Sequence, residues 1–179
     1  MIRQRSILLI IAAAVVLVLD QLSKLWVVAG MKVGDIQPVI DGFLRLRYTH
    51  NSGAAFGLFR DATGVLSIIS LVIITGLVVA FVRLGHPSTL ATLASGLIVG
   101  GALGNLFDRV RLGYVVDFIE VYNPHIELNS TIYTFPVFNV GDSGITVGVI
   151  IILIGMLFTA EKTTGDALPT TSDGVISDK

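Results

Sequence analysis

Ala62-Thr-Gly-Val-Leu-Ser-Ile-Ile-Ser-Leu-Val-Ile-Ile-Thr-Gly-Leu-Val-Val-Ala-Phe-Val82 runs for 21 residues without a charge. The chain turns within Arg83-Leu-Gly-His86, and Pro87 to Phe107 is a second uncharged run of the same length. At 1.5 Å rise per residue, a helix of that size spans roughly 31 Å, which matches a bilayer hydrocarbon core of about 30 Å. Pro87 suits the opening turn of a helix, so the two runs read as a tight antiparallel helical hairpin inside a membrane.

Two further segments fit the same length scale. Ser143 to Ala160 is apolar over 18 residues, and Ile7 to Ala29 is apolar apart from Asp20, Gln21, Ser23 and Lys24. Arg3 and Arg5 ahead of Ile7 imitate a secretory signal, but Asp20, Lys24 and Trp26 are out of place in one, and the segment reads as a retained first helix. The fold class that follows is membrane all-α, a four-transmembrane-helix bundle with a small extracytoplasmic β-cradle formed by the two long loops. The expected single domain covers residues 1–162, with spans at about 7–29, 62–82, 87–107 and 143–160. Residues 163–179 are too polar and small to pack and are expected to form a disordered tail.

Composition narrows the function classes. Of 179 residues, 53% are hydrophobic and only 14% charged, far from the balance of a soluble domain. A formal net charge of -1 without a basic stripe excludes a nucleic-acid partner. The absence of cysteine removes thiol nucleophiles, disulfides and Cys-based metal sites. His50, His86 and His125 stand singly in polar stretches, as surface or loop histidines do, without the paired spacing of metal-binding helices. No metal and no cofactor is expected.

Four spans put both termini and the 83–86 turn on one side of the membrane. The long connections, about 30–61 and 108–142, share the other side. Nearly every polar signature falls in them. Phe43-Leu-Arg-Leu-Arg-Tyr-Thr49 alternates as a strand does, and the Gly-rich Asn51-Ser-Gly-Ala-Ala-Phe-Gly57 follows. Gly113 to Ile119 and Ser130 to Phe135 also have strand character, with Asn123-Pro124 expected to turn the chain between them. Glycines 96, 100, 101 and 104 on span three allow a neighbouring helix to come close. Lys and Arg numbers near the span ends are nearly equal on the two sides, while Arg3 and Arg5 before the first span favour a cytoplasmic N-terminus.

Two acids stand out, Asp117 in Tyr114-Val-Val-Asp-Phe-Ile-Glu120 and Asp142 in Phe138-Asn-Val-Gly-Asp-Ser143. An ionisable group beside a membrane-length segment is costly to keep and suggests a functional site. Carboxylates held close together cannot both ionise cheaply, so one works as a base toward water while the other, protonated, polarises a carbonyl. Helix capping would account for Asp142 alone, since an aspartate is favoured just before a helix; it would not account for Asp117.

Asp20 and Lys24, four apart, either lock span one to its neighbours as an ion pair or face a polar site. Asn105 and Arg109 share one face at the end of span three, with Asp108 one step round. They fit either a headgroup anchor or, with Asn51 and Asn139, hydrogen-bonding partners for backbone amides. No Gly-x-Ser-x-Gly, His-Glu-x-x-His or phosphate-cradling loop is present. Two readings other than a protease fit the composition. One is an ion relay through Asp20, Lys24 and the aspartates, although spans two and three carry no charge for it. The other is a metal-dependent hydrolase of lipid phosphate, which a chelator would inactivate.

Asp20-Gln-Leu-Ser-Lys24, Asn51-Ser-Gly-Ala-Ala-Phe-Gly57, Gly104-Asn-Leu-Phe-Asp-Arg109, Val115-Val-Asp-Phe118 and Phe138-Asn-Val-Gly-Asp-Ser143, in this order among four spans, resemble the motif set of the bacterial lipoprotein signal peptidases, signal peptidase II. The resemblance covers roughly residues 7–160. It implies an aspartyl endopeptidase of the bacterial inner membrane, both termini cytoplasmic and the active site at the outer leaflet. The implied partners are membrane lipid and prolipoproteins carrying a diacylglyceryl cysteine, before which the chain is cut. The implied dyad is Asp117 and Asp142. Asn51, Gly53, Asn105, Arg109 and Asn139 would bind substrate or hold the site, supported by Asp20, Lys24 and Asp108. Globomycin, an inhibitor of that family, would occupy the same groove. Gly141 departs from the alanine that the family usually has before the second aspartate.

Overall fold

The computed structural model describes residues 2–53, 63–83, 88–128 and 131–165. Four helices and four strands follow the chain: α1 (Ile2–Gly30), β1 (Ile36–Ile40), β2 (Leu44–Asn51), α2 (Thr63–Arg83), α3 (Thr89–Leu112), β3 (Val115–Leu128), β4 (Thr131–Thr134) and α4 (Val140–Gly165). All four helices are long and apolar enough to cross a membrane. The expected helical hairpin is α2 and α3. Residues 84–87 of its turn, including Pro87, lie outside the described residues, and the start of α3 is capped by Ser88, whose Oγ accepts from the Ala91 amide at 3.1 Å.

α3 is the axis of the bundle. It packs against α1 on one side, α4 on another and α2 at its edge. Eleven of its residues are buried, whereas α2 buries none and lies at the periphery. The close packing depends on missing side chains. A Cβ on Gly100 would run into the backbone of Ala13 in α1, and one on Gly101 would strike the Gly141 carbonyl of α4. Glycine is therefore required where α3 meets each neighbour, and dispersion contacts between backbones replace side-chain packing.

The two long connections form one antiparallel sheet in the order β1-β2-β3-β4. Its inner side closes over the end of α1 with Val27, Met31, Tyr48, Val116 and Phe118. β2 and β3 fall where strands were expected; β1 was not foreseen, because Ile36-Gln-Pro-Val-Ile40 contains a proline and is exposed throughout. The turn expected at Asn123-Pro124 is not there. β3 continues to Leu128, and the residues between Asn123 and Glu127 bulge out of register with β4. A proline without an N–H fits such a bulge, and Pro124 instead lies over Gly42 at the tip of the β1–β2 hairpin.

Helix ends also differ from the spans read by hydrophobicity. α3 continues past Phe107 to Leu112, where Gly113, at φ 81°, closes it by donating its N–H to the Arg109 carbonyl. Asp108 and Arg109 therefore sit on the helix. α4 begins at Val140, so Asp142 lies in its first turn. α4 runs to Gly165, and residues 166–179 of the expected tail are outside the described residues.

Candidate active site

Asp117 projects from β3 and is 2% exposed. Its Oδ2 accepts from Asn51 Nδ2 at 2.8 Å and its Oδ1 from Asn139 Nδ2 at 2.7 Å. Asn51 is itself held, because its Oδ1 accepts the Gly53 amide at 3.0 Å. Burial, and next the charge on Asp142, push the Asp117 carboxyl up to about 7; the amide donors Asn51 and Asn139 and the Lys24 charge act in the opposite direction.

Asp142 is fixed by reciprocal bonds at the start of α4. Its backbone amide donates to Asn139 Oδ1 at 2.9 Å, and its Oδ2 accepts the Asn139 amide at 3.2 Å. This is a capping box in which Asn139 is the cap and Asp142 the third helical residue. The alternative in which Asp142 caps the helix therefore does not hold as stated. The capping atom belongs to Asn139, and Asp142 keeps Oδ1 for Asn105, whose Nδ2 donates at 2.7 Å.

Asn139, 0% exposed, joins the whole site. Besides Asp117, its Nδ2 reaches Asn105 Oδ1 at 3.0 Å. Asn105 Oδ1 also accepts from Lys24 Nζ at 2.9 Å. Lys24 in turn meets Asp20 Oδ2 at 2.8 Å and Asp108 Oδ2 at 2.9 Å. Asp20 and Lys24 therefore form a buried ion pair that ties α1 to α3, and Lys24 reaches the Asn105–Asn139 pair from behind. Asp20 Oδ1 accepts the Gly141 amide at 2.8 Å, and Asp108 Oδ2 accepts the Val116 amide at 3.2 Å, so this charged cluster pins both elements that carry the candidate aspartates, α4 and β3.

A cavity of about 540 Å³ opens over the two aspartates. Asn51, Gly53, Arg109, Asp117 and Asp142 supply polar lining around the aspartates; Phe135, Pro136, Val137, Phe138, Ile145 and Val147, with Ser143 and Thr146, line the rest. Arg109 Nη2 donates to the Gly53 carbonyl at 3.4 Å, while its Nε is buried with no partner among the described residues. Asp20, Lys24, Asn105, Asp108 and Asn139 lie behind the cavity and do not line it. Residues 54–57 of the Gly-rich motif are outside the described residues.

The pattern of the family described as Signal peptidase (SPase) II matches residues 12–158 of this chain. The chain belongs to the signal peptidase II family. Among similar proteins are the lipoprotein signal peptidases of Geobacillus thermodenitrificans, 37% identical over 162 residues with 90% of this chain and 97% of that one covered, and of Bacillus pumilus, 40% identical over 153 residues with 86% and 94% covered. A solved bacterial membrane enzyme superposes with a TM-score of 0.75 at 34% identity, covering 92% of this chain and 94% of its own. The chain is thus a multi-pass membrane protease of the signal peptidase II family.

Sequence reasoning overlooked three contributors. Gln21 Nε2 bridges Asp20 and Asp108 at 3.2 and 3.1 Å, and only its place one residue after Asp20 hinted at this. Glu120 is fully buried between Arg45 and Arg47, a cross-strand cluster implied by the Arg-Leu-Arg alternation once β2 is paired with β3. The third is a ring cluster of Tyr48, His50 and Tyr114, because a lone histidine in a polar stretch gives no sign of its partners.

Proposed function

We propose that this peptidase is an aspartyl endopeptidase that removes the signal peptide from diacylglyceryl-modified prolipoproteins, cutting just before the lipidated cysteine. The observation that carries the reading is the meeting of Asp117 and Asp142 around Asn139 at the wall of a mostly apolar cavity. A peptide bond entering there would find paired carboxylates, and an acyl-bearing cysteine would find apolar walls.

In this mechanism Asp142, in the first turn of α4 where the helix dipole favours negative charge, removes a proton from water. Asp117, whose carboxyl burial and the Asp142 charge push up to about 7, is the partner that carries the proton and gives it to the scissile carbonyl oxygen as the hydroxide adds to carbon. The tetrahedral intermediate collapses when the proton held by Asp142 passes to the departing cysteine nitrogen and Asp117 recovers its own. Asn51, Gly53 and Arg109 border the space for the substrate backbone; Asn105 and Asn139 hold the two carboxylates; Asp20, Lys24 and Asp108 support them from behind. Globomycin would compete for the same cavity.

In this reading the site lies at the outer leaflet of the bacterial inner membrane, with both termini cytoplasmic. Arg3 and Arg5 at the start of α1, ahead of its apolar run, support that orientation. The deciding experiment incubates purified enzyme in detergent with chelator and either a diacylglyceryl-modified precursor or its unmodified counterpart. Only the modified precursor should be cut, and Asp117→Asn or Asp142→Asn should abolish cutting while the protein stays folded. Full activity in either variant rejects the dyad, and loss of wild-type activity with chelator favours a metal-dependent hydrolase.

A further inference from the structure

We propose that the ring cluster of Tyr48, His50 and Tyr114 positions Asn51 against Asp117, making His50 and Tyr114 positioning residues for the reaction. The inference rests on the peptidase reading above. Asn51 pairs with Val115 in the last rung of the β2–β3 ladder, and at Ser52 the chain leaves the sheet. End rungs open more easily than internal ones. The Asn51 donation to Asp117 at 2.8 Å is therefore only as firm as whatever holds that rung closed.

His50 occupies the preceding rung opposite Val116, and Tyr114, the residue just before β3 begins, stands diagonal to it. Diagonal aromatic pairs reach each other across an antiparallel ladder and stabilise it. Here the two rings are stacked, with centroids 3.7 Å apart and planes inclined by 18°. The Tyr48 hydroxyl lies 2.9 Å from His50 Nε2, with its ring edge-on to the imidazole at 5.2 Å. Tyr48 is buried against Val27 and Met31 at the end of α1. Tyr114 directly follows Gly113, the residue that ends α3 just beyond Asp108 and Arg109. The three rings thus tie the end of β2 to α1 and α3 while standing outside the cavity.

The consequence is electrostatic. Asp117 faces Asp142 from α4, Lys24 from α1 and Arg109 from α3, and takes hydrogen bonds from Asn51 and Asn139. Donation from Asn51 favours the ionised carboxylate. If that donor is loosened, the pair holds its proton to higher pH, and the alkaline limb of the rate profile moves upward.

The test measures kcat and KM against pH for full-length enzyme in detergent, with a diacylglyceryl-cysteine precursor peptide. His50→Ala and Tyr114→Leu should each lower kcat about tenfold, leave KM within about twofold and raise the alkaline limb by roughly 0.5 to 1 pH unit. His50→Phe, which keeps a ring over Tyr114, should return the limb to its wild-type position. Partial unfolding lowers kcat most at the higher pH where the fold is less stable, so it cannot raise the limb. An unmoved limb in the two ring-deleting variants, or no restoration by His50→Phe, overturns the inference. Wild-type enzyme that leaves the precursor intact, or an Asp117→Asn variant that still cuts it, rejects the peptidase reading instead.

Discussion

The Asn139 side-chain amide donates to Asp117 at 2.7 Å while its carbonyl oxygen accepts the backbone amide of Asp142 at 2.9 Å, so one side chain sets both aspartates. The two tasks are separable. Serine is a good helix cap but too short to replace the donor to Asp117. Asn139→Ser should therefore keep nearly wild-type thermal stability and lose roughly tenfold to a hundredfold in kcat, the worth of a hydrogen bond to a charged group. Asn139→Ala should suffer the same loss and also about 1 kcal/mol of stability from the missing cap. Wild-type kcat in Asn139→Ser would show that the donation to Asp117 has no part in the reaction.

Lys24 is the cation between two buried acids. Removing it leaves Asp20 and Asp108 facing each other without compensation. Removing one partner of a buried ion pair typically costs about 3–5 kcal/mol, so Lys24→Met should unfold at much lower temperature or fail to accumulate. Asp20→Asn in the Lys24→Met background should recover part of the loss, because it removes one of the stranded charges. A double-mutant cycle read by thermal unfolding in detergent measures that coupling, and additive losses would contradict it.

The sequence made the bundle legible because membrane length is a property of a single segment: 21 apolar residues identify a helix without reference to anything else. That Asp117 belongs to a polar site was legible for a related reason, since an acid stands out in Val-Val-Asp-Phe-Ile, while its pairing with Asp142 came from the motif resemblance. What stayed hidden depends on partners distant in sequence. The stacking of His50 on Tyr114 follows from strand register, and the role of Gln21 follows from the approach of α1 to α3. Local signals misled where tertiary contacts overrode them. Pro124 reads as a turn, yet it sits in a bulge because the hairpin tip at Gly42 packs beneath it.

Two of the glycines at the contact between α3 and α4 should respond differently to alanine. A methyl group on Gly141 would lie 3.0 Å from the Gly101 carbonyl oxygen and 3.1 Å from both Asn139 Oδ1 and Asp20 Oδ1. Shifts of a few tenths of an ångström relieve such contacts, and alanine gains up to about 1 kcal/mol over glycine in a helix. Gly141→Ala should therefore leave stability within about 1 kcal/mol of wild type and retain activity. A methyl group on Gly101 would strike the backbone of Gly141, which cannot move without dragging Asp142. Gly101→Ala should separate the helices and abolish cleavage. Equal behaviour of the two variants in thermal unfolding and peptidase assays would refute this packing account.

The raised affinity of Asp117 for its proton also governs how stability changes with pH. Its folded-state value is about 7, well above the 3.8 of an ordinary aspartate, so between those limits the folded protein holds a proton that the unfolded chain has released. Stability falls with rising pH wherever the folded state binds more protons. Asp117 therefore makes the fold progressively less stable from about pH 4 to about pH 7, beyond which both states are ionised and its contribution levels off. Asparagine cannot titrate. The slope of unfolding free energy against pH over this interval, followed by denaturation in detergent, should thus be shallower in Asp117→Asn than in wild type. Above pH 7 the two curves should run parallel. Parallel curves throughout would mean that Asp117 titrates normally, and the protonated partner that the hydrolytic mechanism requires at neutral pH would then be missing.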